Sequence, residues 1–592
     1  MRYFIIIFLL IATAHAQINP KSVEEMTAVI HQGGTLSVTG YIEKANLSLH
    51  IPQEGIESIA VSGADSWDYV NDKFSNKLLL LTWKNPSGTI NYDVKITVNS
   101  KSKHFLSLGD IGTDPQYPKE TDTIIFNDDI RKTAFPYEKT WERVAELTVA
   151  VNELVDYDIN LVGERKGSDW VLQNRRGVCV EHANLLTALL RVSDIPTRYV
   201  VGYAYSTVDD KLIGHTWVEV LSSSGEWIPF DPTWLEGSYI DATHIKTANL
   251  MDDNQLDLLN YFGSGRIEWQ RTQENIEIAT KNLTRDKIDI ISYKLANVTQ
   301  IIPESDEFAS NAYGFVKARI ESNECSIVDL RATSCIDEDG QYVFDVYDSN
   351  RTIWLCGSDD VYWFFDINDA GYFSYSCPVT IYDQIGSLES IEINVSGIRS
   401  TEKIAISGPD TVAINEKFSL SGDGVIYSPD FGVIEDDLTI TKPGKYRFYL
   451  YSEGALELKD VDVVETTQFS VRVSAPNNAT VNNSFLVNVR VKNHGRNSAA
   501  IVKLHFDDRT EQISRSFLAD EEQNFVFNLT GRSEGTKKIT AEIISDSLAS
   551  YTTFVDVNEM KKNESFVDTI ISAITNVITS FLGLFSGIFK PS

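Results

Sequence analysis

Three residues in ordered succession have side chains suited to covalent chemistry: a cysteine at 179, a histidine at 215 and an aspartate at 231. A thiol can attack a carbonyl, an imidazole can take its proton and return it to a leaving group, and a carboxylate can fix the imidazole's tautomer and support its charge. Of the five cysteines, Cys325, Cys335, Cys356 and Cys377 cluster in one stretch and suggest two bridges, which leaves Cys179 as the free thiol. It sits in Arg176-Gly177-Val178-Cys179-Val180-Glu181-His182-Ala183, just ahead of Ala183, Leu185, Leu186, Leu189 and Leu190, the apolar face of a helix that ends before Ile195-Pro196. The first turn of such a helix offers unsatisfied amides and the positive end of a dipole, which favour the anionic, nucleophilic form of a thiol.

The other two residues need strands to position them. Thr197 to Tyr205 is a β-prone run, His215-Thr216-Trp217-Val218-Glu219-Val220 a second, and Glu226-Trp227-Ile228-Pro229-Phe230-Asp231 a third, after the turn-forming Ser222-Ser223-Ser224-Gly225. The last two predict an antiparallel hairpin with His215 directly opposite Asp231, which requires an odd-length loop of three or five residues; a one-residue slip would turn the pair to opposite faces. In that register Asp231 accepts from one imidazole nitrogen of His215 and aims the other at Cys179. The Cys179 amide is the expected oxyanion donor; the second donor is left open. His182 is a rival base, disfavoured because a cation at a helix N-terminus is disfavoured. Glu181 reads as solvated or as a first-turn carboxylate, Trp217 and Trp234 as cleft wall or core, Trp141 and Trp170 as alternative shields, and His244 as part of a structural turn.

At these residues the chain resembles the transglutaminase-like superfamily, through Gly177-Val178-Cys179, Asp194-Ile195-Pro196-Thr197-Arg198, His215-Thr216-Trp217-Val218-Glu219 and Asp231-Pro232-Thr233-Trp234. The resemblance implies a papain-like α+β core with Cys179, His215 and Asp231 as a catalytic triad, acting on amide bonds of proteins or peptides through a thioester, by hydrolysis or amine transfer. It carries over no calcium site, so neither metal nor cofactor is expected. Asp194 stands where the family usually has Gly, at a helix end that needs a left-handed residue, a conformation Asp tolerates.

The 592-residue length predicts several domains. Residues 1–16 read as a signal peptide, with Arg2 before an apolar run and Ala14-His15-Ala16 as the cleavage site. Alternation over 17–103 predicts a β-sandwich, 104–302 the transglutaminase-like domain, 303–400 a disulfide-containing β-domain, 401–466 a β-domain, 467–558 an immunoglobulin-like sandwich and 559–592 a membrane-associating helix. The helical period after Pro136 places Trp141, Val144, Thr148 and Val151 on one face. Cys325–Cys335 with Cys356–Cys377 is the most local of three disulfide connectivities. The fold class expected is therefore α+β, a papain-like core between β-domains, with a C-terminal hydrophobic helix.

Net charge is −32 without a basic patch, which excludes nucleic acid as an expected partner. The uncharged run Ile570 to Phe589 is long enough to span a membrane, though Ser572, Asn576, Thr579, Gly583 and Ser586 form a polar stripe that also fits an interfacial helix, and Gly583 with Gly587 permits self-association. Sequons such as Asn46, Asn297, Asn394 and Asn528 fit a glycoprotein exported to the outer face of the cell membrane. The expected function is an exported thiol enzyme with a protein or peptide substrate; the alternative is a cell-surface adhesion or scaffold protein that uses the same core only to bind.

Overall fold

A computed structural model describes residues 19–559 apart from 106, 136, 255–256, 272–274, 279–294, 306, 369–373, 399–402, 465–468, 495–497, 519–520 and 546–547. The chain divides into two compact units, Met1–Ser400 and Thr401–Ser592.

The alternating pattern at the start of the first unit folds as strands that bury every second residue: along Glu25–Thr39, Met26, Ala28, Ile30 and Leu36 point inward. One sheet runs in the order Arg266–Arg271, Glu25–Thr39, Gly88–Lys101, Ile56–Ser62; its partner runs Leu258–Gly263, Ile42–His50, Lys77–Lys84, Ser66–Asn71. Each sheet thus takes a strand from residues 258–271, which the sequence groups with the chemical segment. They pair here because Leu36 faces Trp269 and Val38 faces Ile267 across the edge of the N-terminal sheet, burying an apolar side that has no other cover.

Between these strands lie four helices, α1 (Asp128–Ala134), α2 (Trp141–Leu154), α3 (Ser168–Asn174) and α4 (Cys179–Val192). Helix α2 starts where Thr140 accepts a hydrogen bond from the Arg143 amide, and it buries Val144, Leu147, Thr148 and Val151. Helix α4 is buried along nearly its whole length, with Ala183, Leu185, Leu186, Leu189 and Leu190 packed on the sheet residues Val218, Val220, Ile228 and Phe230. That antiparallel sheet runs Glu236–Gly237, Trp227–Asp231, Lys211–Leu221, Thr197–Ser206, Ile245–Leu250. A large sheet built on the long hairpin Ala312–Ala332 and Asn350–Ile367 follows, and its Ile327 joins the core beneath α4. Gly237 allows this approach, since a Cβ there would come within 2.6 Å of Ile327 Cδ1.

The second unit is all β in its described residues. Phe448, Leu450, Val461 and Val463 centre one core, and Val487, Val489, Leu504, Phe527 and Ile539 another, between a sheet of Phe469–Ser474, Ser484–Asn493 and Glu522–Thr530 and a facing sheet that includes Ser498–Phe506 and Gly535–Ile544.

The expected fold class is corrected. The protein is mostly β rather than α+β: the described α-helices are confined to residues 128–192, while the core's own sheet and the regular structure of the flanking regions are almost entirely strands. The expected C-terminal hydrophobic helix falls on residues 560–592, which lie outside the described residues; among the described residues no helix is long and apolar enough to cross a membrane. The disulfides are Cys325–Cys356 and Cys335–Cys377, not the most local pairing. Sheet register decides this, because Cys325 and Cys356 are cross-strand partners in the long hairpin. Proteolysis of the unreduced protein should therefore yield linked peptides joining 325 to 356 and 335 to 377; recovery of a peptide joining 325 to 335 by mass spectrometry would contradict that register.

Candidate active site

Cys179 is the first residue of α4, and the chain just before it explains why a glycine stands two positions earlier. Glu181 folds back so that its carboxylate accepts a hydrogen bond from the Val178 amide at 3.0 Å, and the returning side chain lies against Gly177, where a Cβ would meet Glu181 Cβ at 2.2 Å. Glu181 is buried, not solvated, and burial pushes its pKa up against the pull of the backbone donors it accepts from. The amide of Cys179, one of the first-turn donors without a partner inside the helix, is left for a ligand. His182 turns away from the thiol: its Nδ1 lies 2.8 Å from the Val178 carbonyl and its Nε2 3.0 Å from that of Val155, so it ties α4 to the end of α2. Burial holds its pKa below the ordinary value.

The hairpin that carries His215 and Asp231 has the odd-length loop, with residues 222–226 between the paired Leu221 and Trp227. The register is displaced by two residues from the expected one. Val218 faces Phe230, so Asp231 comes across from Trp217, and His215 reaches it diagonally on the same face. The His215 Nε2 to Asp231 Oδ2 distance is 2.8 Å, which leaves Nδ1 as the nitrogen to serve the Cys179 thiol, whose influence reaches the same imidazole. Trp234 stacks on the ring at 4.0 Å between centroids and 6° between planes. Both His215 and Asp231 are buried.

Electrostatics follow from that burial. Burial alone would lower the pKa of His215, but the charge and hydrogen bond of Asp231, helped by Cys179, raise it to about 9. Burial would likewise raise the Asp231 carboxyl, yet His215 and His244 hold it well below the usual carboxylate range. Its other oxygen accepts from the Thr233 amide at 2.7 Å and the Trp234 amide at 3.3 Å. Pro232 has no N–H, so the carboxylate reaches past it in an Asx turn, which accounts for the Asp-Pro-Thr sequence.

His244 is the residue that sequence reasoning missed. It was assigned to a turn, and it does close one, but its Nε2 lies 3.3 Å from Asp231 Oδ2, opposite His215. Its Nδ1 faces Asp241 at 3.4 Å and Glu236 at 4.0 Å, all of them buried. Burial would lower its pKa, but Asp241 and Glu236 carry it well above the ordinary value. The available signal was Asp241-Ala242-Thr243-His244, where the Asp241 carboxylate accepts from the Thr243 amide and so sets the turn.

Two motif residues never touch the cleft. Arg198 pairs across the strands with Glu219, its Nε donating at 2.6 Å, and Lys246 donates to Glu219 from the third strand at 2.9 Å. Burial would raise the Glu219 pKa; Lys246 and Arg198 lower it instead. The cluster holds three strands in register behind His215. Asp194 takes the left-handed conformation at φ 55°. Trp141 stacks on Phe230 and donates to the Gly109 carbonyl, away from the thiol, while Trp170 lies under Lys166 and Arg176.

Over Cys179 opens a cleft of about 1180 Å³, with walls that include Tyr157, Tyr205 and Trp234 and a rim that carries the exposed aliphatic side chains of Ile159, Val162 and Val208. Thr207 to Gly214, the turn and the start of the strand that carries His215, supplies part of one wall.

Residues 128–232 match the transglutaminase-like superfamily core, a span that includes Cys179, His215 and Asp231. No curated protein matches the chain. Among solved structures, a cysteine-protease candidate from Cytophaga hutchinsonii overlaps 43% of this chain and 90% of its own at 19% identity, with a TM-score of 0.30. A CARDB domain from Pyrococcus furiosus overlaps 16% of this chain and 99% of its own at 22% identity and a TM-score of 0.15.

The raised pKa of His215 has a stability consequence with a definite sign. Its contribution is complete below the unfolded value of about 6.5 and is lost as pH rises through the folded value of about 9. In thermal unfolding, the advantage of the wild type over His215→Gln should be level on the acid side of that window and shrink across it. An advantage that grows over the same window would reverse the assignment.

Proposed function

We propose that this transglutaminase-like superfamily protein is an exported thiol enzyme that cleaves amide bonds of peptides or proteins through a thioester at Cys179. The observation that carries the reading is His215, held between the Asp231 carboxylate at 2.8 Å and the Cys179 thiol. His215 has already taken the thiol proton when sulfur, as the thiolate, attacks the substrate carbonyl carbon. The resulting oxyanion is met by the amide at the start of α4. Collapse of the tetrahedral adduct expels the amine, which takes its proton from His215, and leaves the acyl group on sulfur. Water, deprotonated by His215, then releases a carboxylic acid and restores the thiol; a lysine amine arriving instead forms a new amide. The first outcome makes a peptidase or amidase and the second a cross-linking enzyme.

The surroundings support this use. Trp234 covers one face of the imidazole in a parallel stack, and a cation stacked on an indole is favoured. The aliphatic rim suits an acyl donor with apolar side chains flanking the scissile bond. Two disulfides agree with a chain that matures in an oxidising compartment, which supports export.

Alkylation of Cys179 by iodoacetamide near neutral pH should outpace that of an ordinary thiol by about tenfold or more, and His215→Ala should abolish the difference. Equal labelling rates in the two proteins would leave a binding module in place of an enzyme. With a glutamine-containing peptide and a fluorescent amine, release of ammonia without amine incorporation identifies hydrolysis, and incorporation identifies transfer. Neither product from any peptide or protein panel, alongside equal labelling, would end the enzymatic reading.

A further inference from the structure

Behind the triad, three fully buried side chains converge with their polar atoms unmatched. Glu236 Oε1, Asp241 Oδ2 and His244 Nδ1 have no hydrogen-bond partner, and each of the three residues is 7% exposed or less. The three side chains offer one ligand atom each within 4.8 Å of one another, and the Asp241 and Glu236 oxygens lie 3.4 and 4.0 Å from the imidazole nitrogen. Glu236 Oε2, the oxygen 4.0 Å from the imidazole nitrogen, also accepts from the Asp241 amide at 3.1 Å, which leaves Oε1 as its unmatched oxygen, and Asp241 Oδ1 accepts from the Thr243 amide at 2.6 Å. Unmatched atoms of this kind cost free energy wherever they are buried without a partner. Burial, and then the Asp241 charge, push the Glu236 carboxyl pKa well up against the pull of His244 and Lys21.

We propose that Glu236, Asp241 and His244 bind a divalent transition-type cation such as zinc or manganese. A triangle of ligand atoms 3.4 and 4.0 Å apart about one corner leaves a central point roughly 2.0–2.3 Å from each, the bond length of such ions to oxygen and imidazole nitrogen. Two carboxylates and a neutral imidazole bring a charge that the dication balances, so the buried site becomes neutral. One nitrogen and two oxygens with no thiolate fit an ion of intermediate hardness better than calcium, which takes six to eight oxygens. The mouth of the site lies on the cleft, whose walls include Glu236 and Asp241, with Lys21 beside them as the nearby cation to be displaced.

The ion would act on the triad through its histidine. With Nδ1 on the metal, His244 carries its proton on Nε2 and donates it to Asp231 Oδ2, 3.3 Å away. His244 is in this sense a positioning residue for Asp231, and the metal fixes its tautomer. The spacing of 236, 241 and 244 matches no metal motif in the sequence because one ligand comes from the short strand Glu236–Gly237 and the others from the turn at 241–244. The inference does not depend on turnover, since the site holds its ion whether or not Cys179 is catalytic.

The test uses the full mature chain carrying Cys179→Ala, so that the thiol cannot hold the ion, stripped with chelator and titrated calorimetrically with zinc and separately with manganese. The expected result is one ion per chain for zinc, a rise in the thermal midpoint on loading, and about tenfold or greater weakening by Asp241→Asn or Glu236→Gln. Asp257→Asn, which alters the distant His50–Asp257 pair, should leave binding unchanged. Circular dichroism of the metal-free variants checks that they fold. Absence of zinc binding by the parent protein overturns the proposal and leaves a proton shared between Glu236 and Asp241. Binding that survives Asp241→Asn but is lost with His215→Ala also overturns it, by moving the ion to Asp231.

Discussion

A carboxylate sealed from water is the constraint on which the rest of this site depends. Asp231 is fully buried, and a buried carboxylate left alone either takes up a proton or costs several kcal/mol. Here both oxygens are engaged: one by two imidazoles, the other by the amides of Thr233 and Trp234. Each partner makes a demand on the chain. The amides require the turn that skips Pro232; His215 requires a hairpin whose register leaves it on the same face as Asp231; His244 requires the return of the chain after Asp241. In exchange the charged Asp231 holds the His215 ring and raises its affinity for a proton, and the stacked indole of Trp234 covers one face of the ring.

Much of the motif pattern serves this geometry without entering the cleft. Arg198, Glu219 and Lys246 join three adjacent strands through one buried ionic cluster, so the strand that carries His215 cannot slip. Breaking one member would leave a buried charge uncompensated, which is far more costly than losing a surface pair. Gly177 is needed for a different reason: only a residue without a Cβ lets Glu181 fold back and cap the helix that begins at Cys179. These contacts set the distance between sulfur and imidazole from two sides, one through the helix start and one through the sheet.

The β modules around the core also take part in it. Ile327, Cys325 and Trp354 of the disulfide-bearing sheet pack beneath α4, and Tyr203, Tyr205 and Leu212 of the core sheet join the N-terminal sandwich. The boundary near residue 302 rests on the return of short strand patterns after it, but strands 258–271 belong by pairing to the N-terminal sheets. Alternation marks a residue as strand; it carries no record of which edge the strand will cover. The same limit applies to the bridges: four nearby cysteines permit three pairings, and only the long hairpin brings Cys325 opposite Cys356.

From the sequence alone, Cys179 stood out as the free thiol at a helix start, His215 and Asp231 as same-face neighbours on a hairpin with an odd loop, and Asp194 as a left-handed residue. All of these are local: they rest on helix periodicity, turn chemistry and the two-residue period of a strand, which act over a few positions. Tertiary structure alone decided that the pair meets diagonally, that the chain is mostly β, and that His244, Glu236 and Asp241 crowd against Asp231. Those outcomes depend on how charges left without water find partners from distant strands, and burial of that kind is a property of the packed whole.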